Sequence, residues 1–334
     1  MAAQKEKLLR VLEILQQTDE DHPVTATAIC HQLMLYGIDA ERKSVLRDIA
    51  VIRDYGYDIV ACQDNKKGFF LASRRFEDWE LKVLTDAVWQ ANFLTEKESA
   101  SLVQRLGELA SAGSRETLRR VTPVHSHLKT TDPVVKIRID SLLTAIRKGR
   151  QVQFQYTYTD ASLTQQLAHD GKWYTVNPYS MLTQNNRYYL IANVPPHANF
   201  ACFRLDKVVN LAILEEAATP AESICGPNPD RAIDEYVARS LQMHGGKSIR
   251  ITLRVPEYMI DDLCDTFGSK LQFVPDGKQY RVEVDANDGN GLYYWLLQNE
   301  RNLEVVAPQS VREEFVKRLN EMLKIYCQER KDEV

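Results

Sequence analysis

The chain has 334 residues, of which 44% are hydrophobic and 26% charged, with a formal net charge of −4 and a pI of about 6.0. That length holds two or three domains, each able to bury its own core. The mild acidity excludes a protein that is basic throughout, yet leaves room for a local basic face. Met1 to Lys7 is polar and lacks the apolar run of a signal peptide, and no stretch approaches the roughly 20 apolar residues of a membrane helix. Six cysteines (Cys30, Cys62, Cys202, Cys225, Cys264, Cys327) lie far apart with no Cys-x-x-Cys pair. They read as free thiols in a reducing cytoplasm, not as a disulfide framework or a zinc site.

Lys5 to Gln17 has the spacing of an amphipathic helix, with Leu8, Leu12 and Leu15 on one face. Thr25 suits the N-cap of a second helix to about Leu35, which Gly37 ends. Asp39 suits the cap of a third, from Ala40 to about Asp54. Val45, Ile49 and Ile52 form its buried stripe, and at about 100° per residue Lys43 and Arg47 point away from it. Asp58 to Cys62 and Phe69 to Ala72, joined by a polar turn, read as a strand pair. Three short helices and a hairpin follow the winged helix-turn-helix plan, whose third helix enters the major groove while wing lysines reach phosphates. Residues 1–75 carry eleven Lys/Arg and eleven Asp/Glu. The cations gather at Arg42, Lys43, Arg47, Lys66, Lys67, Arg74 and Arg75. The plainer alternative is that Lys43 and Arg47 merely solvate a helix face.

Residues 76–133 read as a helical connector and linker. Arg75 to Asn92 is helical, Thr95 to Glu98 has the spacing of a capping box, and a short helix spans roughly Ser114 to Val121. His125 and His127 form a His-x-His pair without a carboxylate or thiol cluster nearby, so no metal is expected. Residues 134–220 begin with an amphipathic helix to Lys148 and continue as short β-rich runs separated by turns. Arg187, Tyr189 and Ile191 share one strand face, and Tyr188 and Leu190 the other. A surface carrying Arg187, Tyr189 and Arg204 suits an anion or nucleotide, since arginine forks match phosphates. The same residue types also fit a surface pair of Arg204 with Asp206 and tyrosines that only pack. Residues 221–247 are a linker with a helix from Asp230 to Met243. Residues 248–330 run β-α-β-β-α-β, the order of a ferredoxin-like sandwich, ending in a helix from Gln309 to Tyr326.

Two resemblances join these readings into a multidomain α+β chain. The run Ser44-Val45-Leu46-Arg47-Asp48-Ile49 resembles the T-V-x-R-D-I run of winged-helix regulators of the DeoR-like and biotin-repressor-like kind. This implies that Lys43, Ser44 and Arg47 face duplex DNA and that Asp48 orients basic neighbours; Arg42, nearer the buried flank of the helix, and the wing lysines Lys66 and Lys67 are the further candidate DNA contacts. Val176-Asn-Pro178-Tyr179, then Asn186-Arg-Tyr-Tyr-Leu190, then Phe203-Arg-Leu-Asp-Lys-Val208 resembles the WYL domain, with Tyr188 in place of the eponymous Trp and Lys207 in place of a common Arg. The resemblance implies a small Sm-like β-barrel that senses a ligand, with Tyr179, Arg187, Tyr189, Arg204 and Lys207 as binding residues. The segment with Ala307-Pro308 and Val311-Arg312-Glu313 resembles the C-terminal extension that follows WYL domains.

The function implied is a homodimeric, DNA-binding transcriptional regulator whose barrel senses an anionic ligand, a nucleotide or a single-stranded nucleic acid. The alternative is an accessory single-stranded nucleic-acid-binding protein that modulates a nucleic-acid-processing or defence complex. A winged helix can also precede a ligase, but the Gly-Arg-Gly-Arg nucleotide loop, Gly-x-x-x-x-Gly-Lys-Ser/Thr and Gly-x-Ser-x-Gly are missing. No catalytic residues and no cofactor are expected.

Overall fold

The computed structural model describes residues 2–62, 68–122, 129–130 and 132–327. The chain divides into two compact units, Met1–Pro133 and Val134–Val334.

In the first unit, α1 (Ala2–Gln16), α2 (Ala26–Leu35) and α3 (Arg42–Asp54) precede a hairpin of β1 (Ile59–Ala61) and β2 (Phe69–Leu71), registered with Val60 opposite Phe70. Thr25 caps α2, its hydroxyl accepting from the Ala28 amide at 3.1 Å. The cap of α3 is Glu41, not Asp39. The Glu41 carbonyl accepts from the Ser44 and Val45 amides, so the first turn closes two residues later than the sequence suggests. Val11, Leu15, Ile29, Leu33, Val45 and Ile49 meet in the core between the helices.

Three further helices follow: α4 (Asp78–Gln90), α5 (Glu96–Gly107) and α6 (Ala112–Val121). A capping box of Glu77 with Glu80 starts α4 and leaves Arg75 and Phe76 outside it. The box of Thr95 with Glu98 starts α5. The Lys129 ammonium donates to the Val88 and Ala91 carbonyls, both at 2.9 Å, and to the Ser99 hydroxyl at 2.8 Å. It therefore ties the end of α4, where free carbonyls attract a cation, to the start of α5.

The second unit opens with α7 (Val134–Lys148). Then come β3 (Arg150–Thr159), β4 (Gln165–Leu167), β5 (Trp173–Gln184), β6 (Arg187–Asn193), β7 (Phe200–Arg204) and β8 (Val208–Ala217). The sheet runs β4-β3-β5-β6-β7, and β8 pairs with β3. Val152 of β3 is paired with both Val176 and Ile213, so β5 and β8 flank it on opposite edges. Among the described ladders β7 and β8 do not pair, and the sheet is not closed into the Sm-like barrel expected. Alternation in a sequence tells which face of a strand is buried; it does not tell which edges meet. Its inner face packs Phe154, Tyr174 and Phe203, with the Phe154 and Phe203 rings 5.1 Å apart.

Two helices follow, α8 (Glu222–Cys225) and α9 (Pro229–Arg239). The helix expected to reach Met243 stops at Arg239, because Ser240, at φ −86° and ψ 72°, already leaves the right-handed helical region; Gln242 and Met243 follow with φ of 51° and 59°. The chain then forms β9 (Lys247–Val255), α10 (Ile260–Phe267), β10 (Phe273–Asp276), β11 (Gln279–Asp288), α11 (Asn290–Gln298), β12 (Glu304–Ala307) and α12 (Gln309–Cys327). The four strands are antiparallel in the order β10-β11-β9-β12. One face carries Ile251, Leu253, Val282 and Val284 into a core with Leu292 and Leu296 of α11. The other face carries an ion network in which Arg254 bridges Asp276 and Glu304.

Candidate functional site

Two groups of sequence-predicted residues lie in different units. In the first unit α3 buries Val45, Ile49 and Ile52. Arg42, Lys43 and Arg47 are exposed, and among the described residues none of the three side chains has a hydrogen bond or ion pair. Ser44 and Asp48 do not join them. Both turn inward to Lys7 of α1, which donates to the Ser44 hydroxyl and pairs with the Asp48 carboxylate at 2.8 Å. Asp48 thus anchors α3 to α1 and, among the described residues, pairs with no basic side chain of the exposed face. Arg74 is also withdrawn: its guanidinium donates to the Gln16 carbonyl at 2.8 Å and to that of Thr18. Burial lowers its pKa, against the charges of Asp19 and Asp78. Lys66 and Lys67 lie outside the described residues, as do His125 and His127. Among the described residues no group of His, Cys, Asp or Glu is placed to hold a metal ion, and no helix is long and apolar enough to cross a membrane.

In the second unit, Tyr189 stands opposite Arg204 across β6 and β7, and cross-strand partners share a face. Arg187 lies two residues before Tyr189 on the same strand, hence on that face too. Asp206 organises the group. It accepts two hydrogen bonds from Arg204, at 3.1 and 2.7 Å, and one from Arg187 at 3.2 Å. The pairing of Arg204 with Asp206, left open by the sequence, is therefore present. Burial pushes the Asp206 pKa up, but the Arg204 hydrogen bonds and the charges of Arg204, Arg187 and Lys207 outweigh it, and the net shift is downward. The Asp206 hydrogen bond in turn raises Arg204. Tyr156 accepts from the Arg204 backbone amide at 3.1 Å, and burial pushes its pKa up to about 12. Three cations around one carboxylate leave a positive excess, so an anion could share the two guanidinium groups with Asp206.

Lys207 and Tyr179 are not part of that contact set. Lys207 donates to the Thr159 hydroxyl at 3.0 Å. Tyr179 falls at a bulge between Pro178 and Ser180; it packs against Phe200 and donates to the Thr219 carbonyl at 2.9 Å. Tyr189 itself is only 9% exposed, in an apolar cluster with Ile191, Phe200, Ile233 and Tyr236. Its ring is a wall behind the arginines, not an open stacking surface.

Three structurally central residues were missed in the sequence. Lys7 stands four residues before Val11 and Arg138 four before Leu142, so each occupies a buried helical stripe. A cation on such a stripe needs a partner, which is the signal that finds both. Arg138 donates to the Leu205 carbonyl at 2.8 Å and so steadies the turn that presents Asp206. The third, Asn177, is fully buried. It accepts from Gln151 at 2.9 Å and from the Thr219 amide at 3.0 Å, and donates to Asn193 at 3.0 Å.

No curated protein matches the chain. Among solved structures, it is similar to proteasome accessory factor B/C (PafBC) of Arthrobacter aurescens at 17% identity and a TM-score of 0.31, over 97% of this chain and 49% of that one. The chain thus spans about half the length of that structure. It is also similar to a CRISPR Cas-related protein at 10% identity and a TM-score of 0.38, over 98% of this chain and 86% of that one. Residues 138–213 match the WYL domain, which includes β3 to β7 and the Arg187, Arg204 and Asp206 group. Residues 247–323 match the WCX domain, which includes the four-stranded antiparallel sheet. The chain therefore carries a WYL domain followed by a WCX domain.

Proposed function

We propose that this chain is a non-catalytic regulator that binds duplex DNA through α3 and responds to an anionic ligand at the WYL domain. The observation that carries the reading is the division of labour on α3. Lys7, Ser44 and Asp48 fix its inner side, while Arg42, Lys43 and Arg47 stand exposed on its outer side, their side chains unpaired among the described residues. A helix held rigidly from behind, with free cations in front, suits the third helix of a winged helix-turn-helix in a major groove. Two copies would read two half-sites, the usual arrangement for such regulators. A nucleotide or single-stranded nucleic acid would share Arg187 and Arg204 with Asp206. It would regulate only by binding one arrangement of the protein better than another.

The test is selection of bound duplexes from a random pool by the full chain, followed by affinity measurement. Recovery of a two-fold related motif, bound at least tenfold more weakly by Arg47→Ala, supports the reading. Binding to single strands alone, unaffected by Arg47→Ala, would replace it with an accessory single-strand-binding role.

A further inference from the structure

The three helices α4, α5 and α6 enclose a cavity of about 500 Å3 that the DNA-binding and WYL readings leave without a role. Its volume falls within the roughly 300–1,000 Å3 of small-molecule sites. Trp89, Val103 and Leu118 supply apolar wall. Thr122 also lines it; that residue is 9% exposed, and its buried hydroxyl oxygen has no hydrogen-bond partner among the described residues. The charged groups lining the cavity are Arg115 and Arg119, with no carboxylate among the described lining. The Arg119 side chain has no hydrogen bond or ion pair among the described residues.

We propose that this cavity binds a small amphipathic carboxylate, with an aromatic or aliphatic body against Trp89, Val103 and Leu118 and its anionic head on Arg119 and Arg115. An amine or a fully apolar molecule fits less well, because the two guanidinium groups would face a like charge or lose solvent without compensation.

The site is wired to the DNA-binding helices of the same unit. Arg115 donates through Nε to the Gly107 carbonyl at 2.9 Å and through its terminal nitrogen to Gln17 Oε1 at 3.0 Å. Gln17 follows α1, and its carbonyl accepts from the Ala112 amide at 3.0 Å. One residue earlier, the Ser111 hydroxyl donates to Asp19 at 2.5 Å. A carboxylate on Arg115 competes with Gln17 for the guanidinium, and so acts on the contact between α6 and the end of α1. This site is separate from the arginine group of the WYL domain.

The test is calorimetric titration of the full chain with 1-naphthoate, set against neutral 1-naphthalenemethanol and cationic 1-naphthylmethylamine. Saturable one-to-one binding of 1-naphthoate, at least tenfold tighter than either analogue, is expected. Arg119→Gln, an exposed position, should weaken it at least tenfold with the melting temperature unchanged. Val103→Phe should fill the cavity and abolish it. If Val103→Phe does not fold, Arg119→Gln alone decides. Absence of saturable binding, equal affinity for the three molecules, or indifference to Arg119→Gln would each overturn the proposal. Duplex affinity measured without naphthoate tests the DNA-binding reading on its own, so the two fail separately.

Discussion

Lys7 and Asp48 form an ion pair at 2.8 Å with side chains only 9% and 12% exposed. The pair joins α1 to the helix that carries the proposed DNA-facing residues. A buried charge left alone keeps its desolvation cost without the compensating partner. Asp48→Ala should therefore destabilise the first unit by about 3–5 kcal/mol, measured by urea unfolding. Lys7→Met combined with Asp48→Leu should recover most of that loss. A double variant as unstable as Asp48→Ala would mean that shape, not charge, sets the cost.

Asn177 is the analogous point in the second unit. Its side chain satisfies Gln151, Asn193 and the Thr219 amide at once. Asn177→Leu leaves these groups unpaired in a buried place and should cost about 1–3 kcal/mol. The test is thermal unfolding followed in the near ultraviolet, where the aromatic cluster of the sheet reports. A shift of zero would show that solvent or a rearranged Gln151 replaces the network.

Asp206 predicts a pH dependence. Its folded pKa lies below its ordinary value of 3.8, with burial opposing and the Arg204 and Arg187 contacts prevailing. A carboxyl with a lowered folded pKa binds more protons when unfolded, so its stabilisation is complete above the ordinary value and is lost as pH falls through the folded one. Asp206→Asn should thus reduce stability by about 1–3 kcal/mol at pH 7, and the gap to the native chain should close below pH 3.8. A gap that stayed constant into acid would place its origin outside the carboxylate. The same substitution frees two guanidinium groups, so it should tighten binding of oligo(dT) to the WYL domain; weaker binding would show that Asp206 orients the arginines for the ligand.

Much of the fold was legible where local chemistry decides it. Thr25 and the Thr95–Glu98 box mark helix starts because their side chains satisfy amides within one turn. The strand from Ser248 to Val255 was visible because one face is buried. Strand alternation put Arg187 and Tyr189 on one face, with Arg204 expected to join them from a separate strand, and the register places Tyr189 opposite Arg204. What was hidden depended on long-range geometry. The bulge at Tyr179 removes that residue from the alternation, and the sheet edges at β7 and β8 do not meet. Ser44 looked like a DNA contact because its partner, Lys7, is thirty-seven residues away. Arg74 looked like a free cation because its carbonyl partners lie at the end of α1.

The most direct test of the account is the salt dependence of duplex binding by the full chain and by the Lys43→Ala, Arg47→Ala double variant. Each phosphate contact contributes about 0.9 to the slope of log affinity against log salt. The expected result is a slope shallower by about two units in the variant, with unchanged melting temperature. An identical slope and affinity for the two proteins would contradict the assignment of α3 to DNA.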